Sequence, residues 1–129
     1  MSSFVTFVGE ESGLAEARQE VGDWLAGQGV AGRLAFHVKL VAHEAARTAL
    51  AHAEPAEAVA VCAMVCDNGD VLVEVQDPHV PPWEALGDPK PERVDGVSLI
   101  RGLCRCVGAV PDRHGGTSLV AVVDSERAR

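Results

Sequence analysis

The chain has 129 residues, 47% of them apolar and 23% charged, which suits one soluble globular domain and argues against both wholesale disorder and a helix through a membrane. Eleven basic against nineteen acidic residues leave a net charge of −8, a poor basis for holding a phosphate backbone. Aromatic residues are few (Phe4, Phe7, Trp24, Phe36 and Trp83, with no Tyr), so platforms for stacking bases are also lacking and no nucleic-acid partner is expected.

The start, Met1-Ser2-Ser3-Phe4, shows neither the basic region nor the apolar stretch of a secretory signal. A cytoplasmic location is expected, with Cys62, Cys66, Cys104 and Cys106 reduced. Ser3 to Val8 reads as a short strand. Ser12 is placed to cap a helix running to about Ala26, with Leu14, Ala17, Val21, Trp24 and Leu25 as its apolar stripe. A longer helix is expected from about Arg33 to Ala53, closed by Pro55. Phe36, Leu40, Val41, Ala45 and Ala49 are its expected core face. Val59 to Cys66 is a nearly continuous apolar run and reads as a buried strand. Asp67-Asn68-Gly69-Asp70 follows, and Asn-Gly predicts a two-residue type I′ hairpin turn into the strand that begins at Val71.

From Asp77 to Asp95 the chain holds five of its seven prolines, so a long loop is expected there. Val97 to Val107 reads as a third helix, and Thr117 to Asp124 as the last strand, entered by the turn Arg113-His114-Gly115-Gly116. Ser125 to Arg129 is expected to fray. The order β-α-α-β-β-loop-α-(β)-β brings strands together as hairpins. It implies an α+β fold of a single domain over residues 1–129: a two-layer α/β sandwich with a mixed, mainly antiparallel sheet and helices on one face.

Glu44, Thr48 and His52 recur every four residues on the second helix and form one ridge. A carboxylate, a hydroxyl and an imidazole on one ridge can line a cleft; polar residues on a helix are also, more often, simply solvated. Cys62 and Cys66 fall four apart on the expected strand, and Cys104-Arg105-Cys106 falls late in the expected third helix. Neither pair has the loop setting usual for zinc, so buried inert thiols and no structural metal are expected. His37, His43, His79 and His114 are scattered.

The Glu44-Thr48-His52 ridge resembles the N-box of the GHKL ATPases, most closely of the anti-sigma factor serine kinases of the actinobacterial type. Several other stretches carry the same resemblance, in the family's order, across nearly the whole chain: Val73-Glu74-Val75-Gln76-Asp77-Pro78-His79-Val80-Pro81, Val94-Asp95-Gly96-Val97-Ser98-Leu99-Ile100 and Gly115-Gly116-Thr117. The resemblance implies a Bergerat-type ATP-binding fold with residues 77–95 as the lid over the nucleotide. It makes Glu44 the catalytic base and Asp77 the acceptor for the adenine amino group, supported by Thr117. Gly96 and Val97 would meet the phosphates at a helix N-terminus, His52 would join the nucleotide site, and Thr48 would stand at the Mg²⁺ position. ATP or ADP with Mg²⁺ is the implied cofactor. The implied function is an anti-sigma-factor-like regulator that binds a sigma factor or an antagonist of the STAS type and phosphorylates it on Ser or Thr, with a homodimer as a further partner state. The chain departs from the family pattern at three places: Thr48 replaces the metal-ligating Asn, Val94 replaces the first Gly of the Gly-x-Gly step, and Pro78-His79 stands where a Gly is expected shortly after the Asp. Thr48 and Val94 favour the alternative of a nucleotide-free pseudo-kinase acting as a protein-binding regulatory module.

Overall fold

The computed structural model describes residues 2–52, 57–77, 96–111 and 116–129. The proline-rich stretch read as a loop, including Val94, therefore lies outside the described residues apart from Asp77, as does most of the turn before the last strand. Among the described residues there are five strands and three α-helices: β1 (Ser3–Val8), α1 (Leu14–Gly27), α2 (Gly32–His52), β2 (Val59–Val65), β3 (Val71–Asp77), α3 (Gly96–Leu103), β4 (Cys104–Pro111) and β5 (Thr117–Val123).

The sheet order is β1-β2-β3-β5-β4, and every neighbouring pair is antiparallel. The expected parallel component is not found among the described strands. The connectivity gives the reason: β4 runs the same way as β3, but β5 is inserted between them.

Strand periodicity decides where the core sits. Val59, Val61 and Ala63 of β2, Val71, Val73 and Val75 of β3, and Leu119, Ala121 and Val123 of β5 point to one face. They form a single cluster with Leu14, Ala17, Val21 and Leu25 of α1, with Val38, Val41, Ala45 and Ala49 of α2, and with Ile100 of α3. Phe36 departs from expectation and is 58% exposed. At about 100° per residue it lies about 200° round the helix from Val38, off the buried stripe. Phe4, half-buried, packs on Trp24 with ring centroids 5.7 Å apart.

The opposite face of the sheet carries the alternate residues. Val5 and Phe7 of β1 are 56% and 68% exposed there, and Val110 of β4 is 48% exposed. Between them lie half-buried Cys62, Met64, Leu72, Glu74, Val120 and Val122. Ala60 is buried on this face yet stands apart from the core cluster.

Several local expectations are corrected. Ser12 does not cap α1: a 3₁₀ turn over Glu11–Gly13 leads in, Gly13 holds the cap position, and its N–H donates to the Glu10 carbonyl at 3.0 Å. The β2–β3 hairpin is not a two-residue turn. The Gly69 N–H donates to the Cys66 carbonyl and the Cys66 N–H to the Asp70 carbonyl, which leaves a three-residue loop, Asp67-Asn68-Gly69. Gly69, at φ +93°, supplies the positive φ that closes such a loop. Cys66 thus lies just past the end of β2 and closes the loop opposite Asp70.

The third helix stops at Leu103 instead of reaching Val107, because Cys104–Pro111 pair with β5 along an edge strand. A bulge between Cys104 and Cys106 turns Arg105 toward two buried carboxylates. Asp70 accepts from Arg105 Nε, Asn68 Nδ2, the Ser125 N–H and Ser125 Oγ at 2.8–3.1 Å. Asp124 accepts from Arg105 and from the Glu126 N–H, both at 2.9 Å. The C-terminal residues are accordingly tied down, not frayed. Arg127 donates to the Gly102 carbonyl at 2.8 Å, and the Asp124 N–H donates to the Leu103 carbonyl at 3.3 Å.

Candidate functional site

The candidate residues fall on four elements. Glu44 and Thr48 lie one turn apart on α2, which packs against β3, β5 and α3. The buried stripe of α2 fixes its roll, and that roll leaves both residues partly exposed. His52 ends the helix, and its side chain is outside the description.

Asp77 ends β3 and Thr117 opens β5, and the register places them directly opposite one another. Residues so opposed in an antiparallel pair have Cα atoms about 4.5–5.5 Å apart. The Asp77 side chain is outside the description; Thr117 is half-buried. The proximity implied for these two residues is thus built into the backbone pairing.

Gly96 and Val97 open α3. Leu103, at its other end, passes straight into β4 beside Val123, the sheet end opposite Asp77 and Thr117. An eight-residue helix spans about 12 Å, which carries its N-terminus away from that junction.

The chemistry at the α2 ridge differs from that of a poised base. Glu44 Oε2 receives both Nη2 and Nε of Arg47, at 2.6 and 3.2 Å. This hydrogen bonding holds the Arg47 guanidinium above its usual pKa, with the Glu44 charge adding to the effect. Thr48 Oγ1 donates to the Glu44 carbonyl at 2.8 Å, the back-bond a mid-helix Thr makes one turn down. That bond draws the hydroxyl toward the helix backbone, whereas a magnesium ligand must reach outward. The residue present at the metal position, Thr48, therefore does not fit Mg²⁺. Among the described residues no group of three or more His, Cys, Asp or Glu could hold a metal ion.

The cysteines divide by environment. Cys104 is buried and its thiol is pushed up to about 12, first by burial and then by Cys106. Cys62 is half-buried, and burial followed by the Glu74 charge raises its pKa. Cys66 is also half-buried and Cys106 is exposed, so the expectation of four buried thiols holds for Cys104 alone. Arg47 was not among the expected site residues; its spacing of three from Glu44 on a helix is the signal that could have found it.

No helix among the described residues is long and apolar enough to cross a membrane. No protein-family profile matches the chain, and no curated protein matches it.

Proposed function

We propose that the chain is a Bergerat-type two-layer sandwich whose Asp77 end binds an adenine nucleotide, and that it acts in the cytoplasm as an anti-sigma-factor-like regulator. The observation that carries this reading is the register pairing of Asp77 with Thr117, beside the strands on which α2 brings Glu44 and Thr48. In this reading Asp77 accepts from the adenine amino group, Thr117 supports it, and His52, Gly96 and Val97 complete the nucleotide site. The partner is a sigma factor or a STAS-type antagonist. Phosphorylation of that partner on Ser or Thr would further require Glu44 to leave Arg47.

A second reading, a nucleotide-free protein-binding module, is favoured by the Glu44–Arg47 pair and by the inward hydroxyl of Thr48. Isothermal titration with ATP and ADP, with and without Mg²⁺, separates the two. The expected result is weak binding that depends little on Mg²⁺ and becomes Mg²⁺-dependent and tighter in Thr48→Asn. Tight, strictly Mg²⁺-dependent binding by the natural chain would overturn the account of Thr48. Absence of binding in both proteins would leave the second reading standing.

A further inference from the structure

We infer that the free edge of β1 is a docking site for an extended basic segment of a partner protein, which joins the sheet as an added strand. The ladder fixes which groups of β1 are free. The Cys66 N–H bonds to the Asp70 carbonyl, so Met64, Cys62 and Ala60, at every second position back along β2, turn their backbone groups to β3. Ala63, Val61 and Val59 then turn theirs to Phe4, Thr6 and Val8 of β1. The N–H and C=O groups of Ser3, Val5 and Phe7 are left directed outward, where β1 ends the sheet.

Such a row is a template for another chain unless the edge is blunted. The far edge is blunted: β4 has a bulge between Cys104 and Cys106, an Arg within it and Pro111 at its end. Ser3 to Val8 carry none of these devices. Their register with β2 is unbroken, and the strand holds no Pro and no charged residue.

Side chains define the occupant. A strand added here places alternate side chains over the two faces of β1. On the open face it meets the exposed side chains of Val5 and Phe7, which suit apolar β-branched residues. On the helix face a groove of about 400 Å³ lies between β1 and α1, lined by Thr6, Val8, Gly9, Glu10, Glu16 and Glu20. Glu16 and Glu20 stand one turn apart on the side of α1 turned away from Arg18 and Gly22, which meet Lys39 of α2. Among the described residues no ion pair reaches Glu10, Glu16 or Glu20, and the Glu20 carboxylate accepts from the Thr6 hydroxyl. Three carboxylates without a cation, beside free main-chain groups, select Lys or Arg at every second position of the added strand. The segment that suits both faces therefore alternates basic with β-branched apolar residues. A second copy of β1 would instead bring three more carboxylates to the groove, from a chain whose charge is already −8, so charge favours a foreign strand. None of this rests on the nucleotide reading.

The probe is an acetylated, amidated peptide of about seven residues that alternates Lys with Val, matched to the length of β1. Titration calorimetry and amide exchange read by nuclear magnetic resonance, both on the full chain at about 50 mM salt, test the proposal. In the free chain the Thr6 and Val8 amides should be protected and those of Val5 and Phe7 should exchange fast; saturating peptide should slow the latter pair at least about tenfold. Glu16→Lys, at an exposed position, should weaken binding about fivefold. Val5→Pro removes an outward N–H without touching the ladder to β2, and should weaken binding at least about tenfold with circular dichroism unchanged. The same peptide with Glu in place of Lys should not bind. No binding at about 1 mM peptide, equal binding of the Glu peptide, or binding that survives Glu16→Lys would overturn the proposal. So would Val5 and Phe7 amides that the peptide leaves unchanged, or that are already slow in the free chain, since the edge would then be covered by a second copy or by another segment of the chain.

Discussion

Replacing Asp70 by Asn perturbs the point where the β2–β3 hairpin, β4 and the C-terminal residues meet. The buried carboxylate satisfies four donors with two oxygens: Oδ1 takes the N–H and Oγ of Ser125, and Oδ2 takes Arg105 Nε and Asn68 Nδ2. An amide keeps one acceptor oxygen and turns an NH₂ group toward the other pair of donors. Stranding buried donors costs about 1–3 kcal/mol, and a hydrogen bond to a charged group contributes about 1.5–3, so Asp70→Asn should destabilise by about 2–3 kcal/mol. For a domain of this length that is a fall of roughly 8–12 °C in melting temperature. The natural carboxyl is held far below the usual carboxylate range, first by the Ser125 N–H, against the opposing cost of burial, and then by Arg105, the Ser125 hydroxyl and Asn68. A depressed folded-state pKa contributes stability above the unfolded value of about 3.9 and loses it as pH falls through the folded value. The gap between the natural chain and Asp70→Asn, read from urea melts, should therefore stay level from pH 8 to about 5 and narrow below about pH 4. Asp67→Asn, at an exposed turn position, should stay within about 0.5 kcal/mol of the natural chain. A gap under about 0.5 kcal/mol at pH 7, or one of equal size at pH 3, would refute the assignment of this carboxylate as the tie.

Two further outcomes follow from the site and the thiols. Asp77→Asn should weaken adenine-nucleotide binding, measured calorimetrically, by an order of magnitude or more, since a charged acceptor contributes about 1.5–3 kcal/mol; unchanged affinity would show that Asp77 does not meet the base. In the native protein iodoacetamide should modify exposed Cys106 and spare buried Cys104 until the chain unfolds, as read by peptide mass mapping. Early labelling of Cys104 would contradict its burial.

The helices and most strands are legible in the sequence because their apolar spacing is regular: the stripe of α1 and the alternation of Val71, Val73 and Val75 each match one period. The α3–β4 boundary is not. Val97 to Val107 has no Gly-Pro break, and only pairing with β5 turns Cys104 onward into a strand. The turn at Gly69 falls where expected but closes differently, since the hydrogen bonds of Cys66 with Gly69 and Asp70 decide the loop length. Phe36 misleads because a large apolar side chain draws notice before the stripe through Val38 and Val41 is fixed. In the site, the spacing of Glu44 and Thr48 shows that they share a ridge, whereas the opposition of Asp77 and Thr117 needs β5 to pair with β3, which their order along the chain does not dictate. What spacing cannot show is engagement. Arg47 on Glu44 and the back-bonded hydroxyl of Thr48 are choices of rotamer, settled only when the helix is in place.

The passage of Leu103 into Cys104 without an intervening loop makes α3 one continuous splint with the edge strand. Its C-terminal end is clamped, because Arg127 holds the Gly102 carbonyl and the Asp124 N–H holds that of Leu103. Along its length the helix rests on α2, with Ile100 sealed into the core. From the clamp the ties continue through the Arg105 bulge to Asp70 and the β2–β3 hairpin on the far side of β5. The last helix, the edge strand and that hairpin are thereby knotted together at one end of the sheet.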